Sequence, residues 1–357
     1  MKRYIPVIIF VLILPFGFMA TYDLLLYRIG VMISSPISFQ FYFPTQRKFA
    51  EIPAGDYYSL RWSDDGEVIH LYRDNPTSDN RNLPDSILNI NASTGKIIDI
   101  TEENSENSSE STYDMRNAIR VKVGNETRKK CLQSDVFIRE NHLVGDNNYR
   151  IDLYQGEMLA ATFKFSPATP WYEPGGRIIQ FVTFSPKCDF ATLTVEGWSY
   201  YEGEGQSELW LIDVIHKTIK PIVIGRWPMI KAADWWVQSV RPDWSPDGKR
   251  LVFGDDLYGL EVYDLQATTR TRLASVEHSG RFPIWSPSGK WIAAATSYNL
   301  FSSIVVLSDN GRFFTFGKKC DYVFAYEWSP VKDQLAFTCN GFSPDQDELW
   351  IWDFGTK

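Results

Sequence analysis

Arg241-Pro-Asp-Trp-Ser-Pro-Asp-Gly-Lys-Arg-Leu-Val-Phe-Gly254 is the stretch of sequence that decides the fold, because shorter versions of it recur along the chain. Its centre predicts a tight turn. Pro246 presets φ near about −65°, Asp247 tolerates the next turn position, and Gly248 takes a φ that side chains resist. The apolar residues that end the stretch are typical of a buried strand entered directly from the turn.

The residues around this turn contain enough strand patterns for one small sheet. Leu251 to Phe253 form an apolar run, and Leu260 to Leu265 alternate apolar and polar residues as a half-buried strand does. Thr269 to Ala274 can supply a further strand. The sequence therefore predicts short antiparallel strands repeating about every 40 residues, which is the pattern of a β-propeller blade.

Four further copies of the turn support this interpretation. They are Trp62-Ser-Asp-Asp-Gly66, Phe184-Ser-Pro-Lys-Cys188, Trp285-Ser-Pro-Ser-Gly289 and Trp328-Ser-Pro-Val-Lys332. Trp285 follows Trp244 by 41 residues, and Trp328 follows Trp285 by 43 residues; each interval is close to the length of one blade. Between the first two copies, 122 residues hold either two blades with long loops or three compact blades. The expected fold is an all-β propeller of about six four-stranded blades, with seven blades as the alternative.

These repeats resemble the TolB-like, WD40-like (PD40) β-propeller family, whose blades carry a Trp-Ser-Pro-Asp-Gly-Lys type of turn. The resemblance covers the chain from Trp62 to the C-terminus. It implies a propeller that serves as a binding platform or as the accessory domain of a peptidase, and the motif itself indicates fold rather than activity.

The N-terminus indicates a membrane anchor or a secretion signal. Lys2 and Arg3 precede Tyr4 to Ala20, a run of 17 uncharged and mostly apolar residues. Ala20 suits a cleavage site but Phe18 does not, so an uncleaved anchor is favoured over a cleaved signal. Residues 1–35 are assigned to this segment and residues 36–357 to the propeller, which is expected outside the cytoplasm.

The last repeat ends soon after its third strand, so its blade needs a strand from elsewhere. Ile37 to Phe43 starts with strand-like alternation, and we expect a strand between residues 36 and 60 to complete the final blade. A simple spacer from the membrane is the alternative.

Alternation of strand direction predicts that the tight turns lie on one face and the long loops on the other. The long loops are 101–112, which has no apolar residue, 166–176, 226–238 and the link from Trp198 to Gly205. Three of them bring many aromatic residues to one sector of one face. Such side chains suit stacking on a glycan or a peptide, or contact with a protein partner. The candidate binding residues are Trp171, Tyr172, Trp198, Tyr200, Tyr201, Trp227, Trp235 and Trp236. The alternative is that these aromatics only pack the loops onto the propeller.

Catalysis is weakly indicated. The four histidines, His70, His142, His216 and His278, are scattered and form no close-spaced metal pair. No Gly-x-Ser-x-Gly elbow exists, and the net charge of −8 argues against nucleic acid. The sequence favours a non-catalytic binding or scaffolding module without a cofactor or metal. A hydrolase or lyase that acts on a peptide or polysaccharide, in a cleft on the face that carries the long loops, is the alternative.

Four cysteines are few for a disulfide-based fold. Cys320 and Cys339 flank a predicted hairpin in the last blade at positions that suit cross-strand partners, so they are a possible disulfide. Two free buried thiols are the alternative.

Overall fold

The structure is a computed structural model, and all of its described residues lie between positions 45 and 355. They are 45–53, 57–73, 86–102, 118–123, 126–142, 149–165, 177–199, 204–228, 242–255, 259–274, 281–298, 301–308, 313–315, 325–340 and 346–355. None of these residues forms a helix of the length and apolarity that a membrane crossing needs. The apolar run Tyr4 to Ala20 lies outside the described residues, so the predicted anchor stays a prediction.

The strands form six antiparallel sheets, which are the blades of a propeller. Blade 1 consists of β2 (Tyr57–Trp62), β3 (Val68–Arg73), β4 (Ser86–Asn91) and β5 (Ile97–Glu102). Blade 2 consists of β6 (Ala118–Val123), β7 (Glu126–Cys131), β8 (Val136–His142), β9 (Tyr149–Gln155) and β10 (Met158–Phe165). Blade 3 consists of β11 (Arg177–Phe184), β12 (Phe190–Ser199), β13 (Glu204–Asp213) and β14 (Thr218–Pro228).

Blades 4 to 6 repeat the arrangement. Blade 4 consists of β15 (Asp243–Trp244), β16 (Arg250–Asp255), β17 (Gly259–Asp264) and β18 (Thr269–Ala274). Blade 5 consists of β19 (Arg281–Trp285), β20 (Trp291–Tyr298), β21 (Phe301–Ser308) and β22 (Phe313–Thr315). Blade 6 consists of β23 (Tyr326–Trp328), β24 (Gln334–Asn340), β25 (Gln346–Asp353) and β1 (Thr45–Pro53). The described residues thus form six sheets, which agrees with the expectation of about six blades. Blade 2 departs from the expected four strands, because β6 pairs with β7 as a fifth strand.

Blade 6 is built from both ends of the chain. The N-terminal strand β1 runs antiparallel to β25, from Thr45 opposite Asp353 to Pro53 opposite Gln346. This strand lies between residues 36 and 60, where the closing strand was expected, whereas the alternating stretch Ile37 to Phe43 lies outside the described residues. The pairing covers the edge that β25 would otherwise expose.

Antiparallel order sorts the connections onto two faces, which we name the turn face and the loop face. In blade 3 the turns at 185–189 and 214–217 lie at one end of the sheet, which is the turn face. The link from Ser199 to Glu204 and the chain after Pro228 leave from the other end, which is the loop face. The strand ends of blade 3 that flank the predicted long links therefore lie at one end of its sheet, while the links themselves fall largely outside the described residues.

Apolar side chains fill the seams between neighbouring blades. Ile69 and Leu88 of blade 1 pack with Ile351 of blade 6, and Leu211 of blade 3 packs with Phe253 of blade 4. Similar clusters join blades 2 and 3, 4 and 5, and 5 and 6. Each blade thus buries a sheet face that it could not bury alone.

The tryptophan of the repeated turn fastens one blade to the preceding one. Trp62 Nε1 donates to the carbonyl oxygen of Glu327 at 3.1 Å, and Trp328 Nε1 donates to that of Ile284 at 3.1 Å. Trp244 Nε1 donates to Thr183 Oγ1 at 3.0 Å. In each case the acceptor residue directly precedes the aromatic residue of the neighbouring turn. The repeated turn is therefore a structural device.

In four of the five copies of the turn, the fourth residue after the aromatic residue has a left-handed backbone. Gly66, Gly248 and Gly289 have φ of 72°, 71° and 70° there, and Cys188 of blade 3 takes the same turn position with φ of 61°. A Cβ added to Gly248 would lie 3.5 Å from Pro186 of the preceding blade. This turn position therefore faces the neighbouring turn.

At the seam between blades 2 and 3, a disulfide makes this contact. Cys188 is bonded to Cys131, and both are almost completely buried. The main-chain carbonyl oxygen of Cys131 accepts a hydrogen bond from the amide of Ser134, as that of Ser245 does from the amide of Gly248. Cys131 therefore takes the position that serine has in the other turns. Sequence analysis did not predict this bond. Cys339 is also disulfide-bonded, but Cys320 lies outside the described residues and the Cys320–Cys339 pair stays a prediction.

Candidate binding site on the loop face

Blade 3 extends further towards the loop face than its neighbour. In blade 4, β16 and β17 pair from Arg250↔Asp264 to Asp255↔Gly259, which is 6 residue pairs. In blade 3, β12 and β13 pair from Phe190↔Asp213 to Ser199↔Glu204, which is 10 residue pairs. Four additional rows correspond to about 13 Å of strand. We call these rows, with the matching part of β14, the blade 3 extension.

Two of the candidate tryptophans lie in one row of this extension. Trp198 of β12 is opposite Gly205 of β13, and Gly205 is opposite Trp227 of β14. Residues directly opposite one another in an antiparallel sheet share a face. The backbone positions of the two tryptophans are two strand spacings apart, or about 9.6 Å, with a glycine between them. We call this the Trp–Gly–Trp row.

The face on which this row lies follows from the strand period. Leu209 and Leu211 of β13 pack against Phe253 of blade 4, so odd-numbered positions of this strand face blade 4. Gly205 is on the same face. Strands β16 and β17 of blade 4 have already ended at that height, so the Trp–Gly–Trp row stands above them.

The opposite face of the extension carries a polar row. Arg177 of β11 is opposite Gly197 of β12, which is opposite Gln206 and then Arg226 of β14. The extension thus has an aromatic row on one face and a row that contains two arginines on the other face. The two rows occupy consecutive positions along β12, β13 and β14. Apolar stacking and anion recognition are the chemistries that these residue types provide.

The base of the extension is well fixed. Glu208 of β13 is buried and accepts a hydrogen bond from Trp210 Nε1 at 2.9 Å. The Trp210 ring packs against Phe165 of blade 2 with ring centroids 4.6 Å apart. At the other end of the blade, the Cys131–Cys188 disulfide fixes the turn. The extension therefore rises from a blade held to its neighbour at two levels.

The structure corrects the loop boundaries expected around these residues. Trp198 and Trp227 were expected in loops but lie in β12 and β14, because strand pairing continues past the point where the apolar pattern ends. Six other candidate residues lie outside the described residues. They are Trp171, Tyr172, Tyr200, Tyr201, Trp235 and Trp236. The structure thus brings together two of the eight, and sequence analysis missed Gly205 and the arginine row.

The carboxylates of the turn face serve the turns. The Ser63 hydroxyl donates to Asp65 and lowers the pKa of that carboxyl. Burial opposes ionisation of Asp247, but its hydrogen bond from Ser245 at 2.6 Å and the Lys249 amide outweigh burial and lower its pKa. Across the described ranges, no three His, Cys, Asp or Glu side chains are close enough to hold a metal ion.

Comparisons with known proteins assign no family to this chain. No protein-family model matches the chain, and no curated protein matches it either. Among solved structures, the chain is similar to the β-propeller domain of Cps50 (Swd1) from Myceliophteria thermophila, with a TM-score of 0.41 and 12% sequence identity. The alignment covers 86% of this chain and 99% of the other. The assignment of the fold rests on the six sheets themselves.

Proposed function

We propose that this chain is a non-catalytic binding or scaffolding propeller, and that it holds a protein partner or a glycan on the loop face beside blade 3. The observation that carries the proposal is the Trp–Gly–Trp row on the blade 3 extension. Extra rows of strand pairing hold the two tryptophans at a fixed separation with a residue without a side chain between them. Backbone positions fixed by strand pairing favour binding, because little conformational entropy is lost there when a ligand docks.

We further propose that the propeller is tethered to a membrane by residues 1–35 and faces away from the cytoplasm. The apolar run after Lys2 and Arg3 supports this location. The disulfide between Cys131 and Cys188 supports it independently, because disulfides persist in oxidising compartments and are rare in the cytosol.

The test is capture from native membranes by the full-length chain. Three proteins are compared: the parent, Trp198→Ala/Trp227→Ala, and a control with Ile215→Ala/His216→Ala. The control changes two exposed residues of the same blade on its turn face. We expect the parent and the control to retain the same protein or glycan, and the tryptophan variant to lose it.

Folding of the tryptophan variant is checked by its melting temperature. Retention by a folded tryptophan variant that equals that of the parent would contradict the proposed site. Loss by the control as well would place the binding surface elsewhere on blade 3.

A further inference from the structure

The outermost strand of blade 1 is apolar and open to solvent. Ile97, Ile98 and Ile100 of β5 are 40%, 55% and 57% exposed. Strand β5 is the last strand of its sheet, paired with β4 on one side only within the described residues. Among the described strands, none occupies its outer side, where its remaining main-chain hydrogen-bonding groups point away from β4.

The outer strands of blades 3 to 6 carry the usual protection against such pairing. Lys48 lies in β1 of blade 6, Pro221 in β14 of blade 3 and Arg270 in β18 of blade 4, all at exposed positions. Strand β22 of blade 5 is only three residues long. Charged residues, proline and short length each prevent strand addition. In contrast, β5 has six residues with no lysine, arginine or proline, and its one irregularity is the register shift at Ile98.

The charge of β5 selects the kind of strand that can pair with it. Asp99 and Glu102 are its only charged residues. A second copy of this chain is disfavoured as the partner, because its β5 offers these acids no basic residue, and the antiparallel registers that place Asp99 opposite Asp99 or Glu102 would set like charges against each other. A strand with basic residues between its apolar residues would satisfy both the isoleucines and the acids.

We propose that β5 is a docking edge for an extended segment of a partner protein, in which apolar residues alternate with lysine or arginine. The segment adds a fifth strand to blade 1. Main-chain hydrogen bonds provide affinity, the exposed isoleucines contact its apolar side chains, and Asp99 contacts its basic ones. This edge lies on the circumference of blade 1, so it is separate from the surface proposed on blade 3.

The experiment measures binding of labelled synthetic peptides to the full-length chain by fluorescence anisotropy. The probe is a peptide of about eight residues that alternates isoleucine with lysine, long enough to span one strand. A second peptide replaces lysine with glutamate, and a third keeps lysine but carries N-methyl groups that remove alternate main-chain donors. We expect the lysine peptide to bind at least about tenfold more tightly than either control, and more weakly as salt is raised.

Protein variants locate the site. Ile98→Lys/Ile100→Lys introduces on β5 the protection found on other blades, and should weaken binding of the lysine peptide at least about tenfold. Ile215→Lys is the matched control, since Ile215 is 62% exposed on the turn face of blade 3, and it should leave binding unchanged. Hydrogen exchange should show protection of β5 amides by the peptide in the parent.

Several results would overturn the proposal. They are no binding at about 1 mM peptide, equal binding of the glutamate or N-methylated peptide, and equal binding by the β5 variant. Self-association of the parent that the β5 variant abolishes would instead assign the edge to a second copy of this chain.

Discussion

The disulfide between blades 2 and 3 allows a stability prediction with an internal control. Two double variants remove the bond: Cys131→Ala/Cys188→Ala and Cys131→Ala/Cys188→Gly. The two cysteines are 57 residues apart in sequence. For a loop of this size the chain-entropy estimate is about 4 kcal/mol at 25 °C. This is a large share of the roughly 5–15 kcal/mol by which folded domains are stable.

Position 188 separates the two variants. Its φ of 61° lies in the left-handed region, which costs a residue with a Cβ roughly 1–2 kcal/mol and glycine almost nothing. The alanine variant should therefore lose about 4 kcal/mol relative to the parent, and the glycine variant about 3 kcal/mol. Three of the four homologous turns have glycine at this point, namely Gly66, Gly248 and Gly289, so the glycine variant should fold normally.

The assay is urea unfolding at 25 °C of the parent and both variants, followed by circular dichroism. Thiol titration of the unfolded parent confirms that the bond was formed. A glycine variant no more stable than the alanine variant would refute the left-handed turn at position 188. A loss of less than about 1 kcal/mol in both variants would refute the claim that the bond stabilises this seam.

Three further predictions concern other parts of the ring. Asp152 is fully buried, and although burial opposes its ionisation, hydrogen bonds from Thr162, Arg150 and Arg139 outweigh it and lower its pKa. The contribution of ionised Asp152 to the free energy of unfolding is therefore present above about pH 4 and is lost as pH falls through the lowered pKa. Asp152→Asn should lower the free energy of unfolding in urea by about 2–3 kcal/mol at pH 7, and the difference between parent and variant should shrink in acid. A difference that does not change with pH would contradict this prediction. Ile52 of the closing strand β1 is 1% exposed, so Ile52→Ala should cost about 2–4 kcal/mol, while the exposed neighbour change Glu51→Ala should cost less than about 0.5 kcal/mol; equal costs would show that β1 is not packed on blade 6. Thiol titration of the denatured, unreduced chain should find no free thiol, because Cys131, Cys188 and Cys339 are disulfide-bonded; two free thiols would contradict the Cys320–Cys339 pair.

The repeated turns made most of the fold predictable. Their requirements are local: Gly248 is needed for a left-handed φ, and Trp244 is large enough to reach the preceding blade. Because both requirements recur at a period near 40 residues, the sequence predicts the number and order of most blades. The ends of blade 3 were less predictable, since strand pairing in Trp198 to Ser199 and Glu204 to Gly205 follows the neighbouring strands rather than an apolar pattern.

The disulfide was missed because its signal is positional. Cys188 and Cys131 are 57 residues apart, and nothing in their spacing suggests a pair. Aligning the turns would have shown Cys188 at the glycine position of blade 3. The turn of blade 2, Cys131-Leu-Gln-Ser-Asp135, lacks the tryptophan, the proline and the glycine, so the alignment that reveals its partner was not available from the repeat alone.

The most direct test of the central claim places a benzophenone amino acid at single positions of the full-length chain in its native membranes. Position 207 lies in β13 directly opposite Glu196 and Gly225, two residues from Gly205 and on the same face as the Trp–Gly–Trp row. Position 215 lies on the turn face of the same blade. Binding on the loop face predicts that irradiation yields an adduct from position 207 and none from position 215. An adduct from position 215 alone, equal adducts from both positions, or none from position 207 would contradict the account.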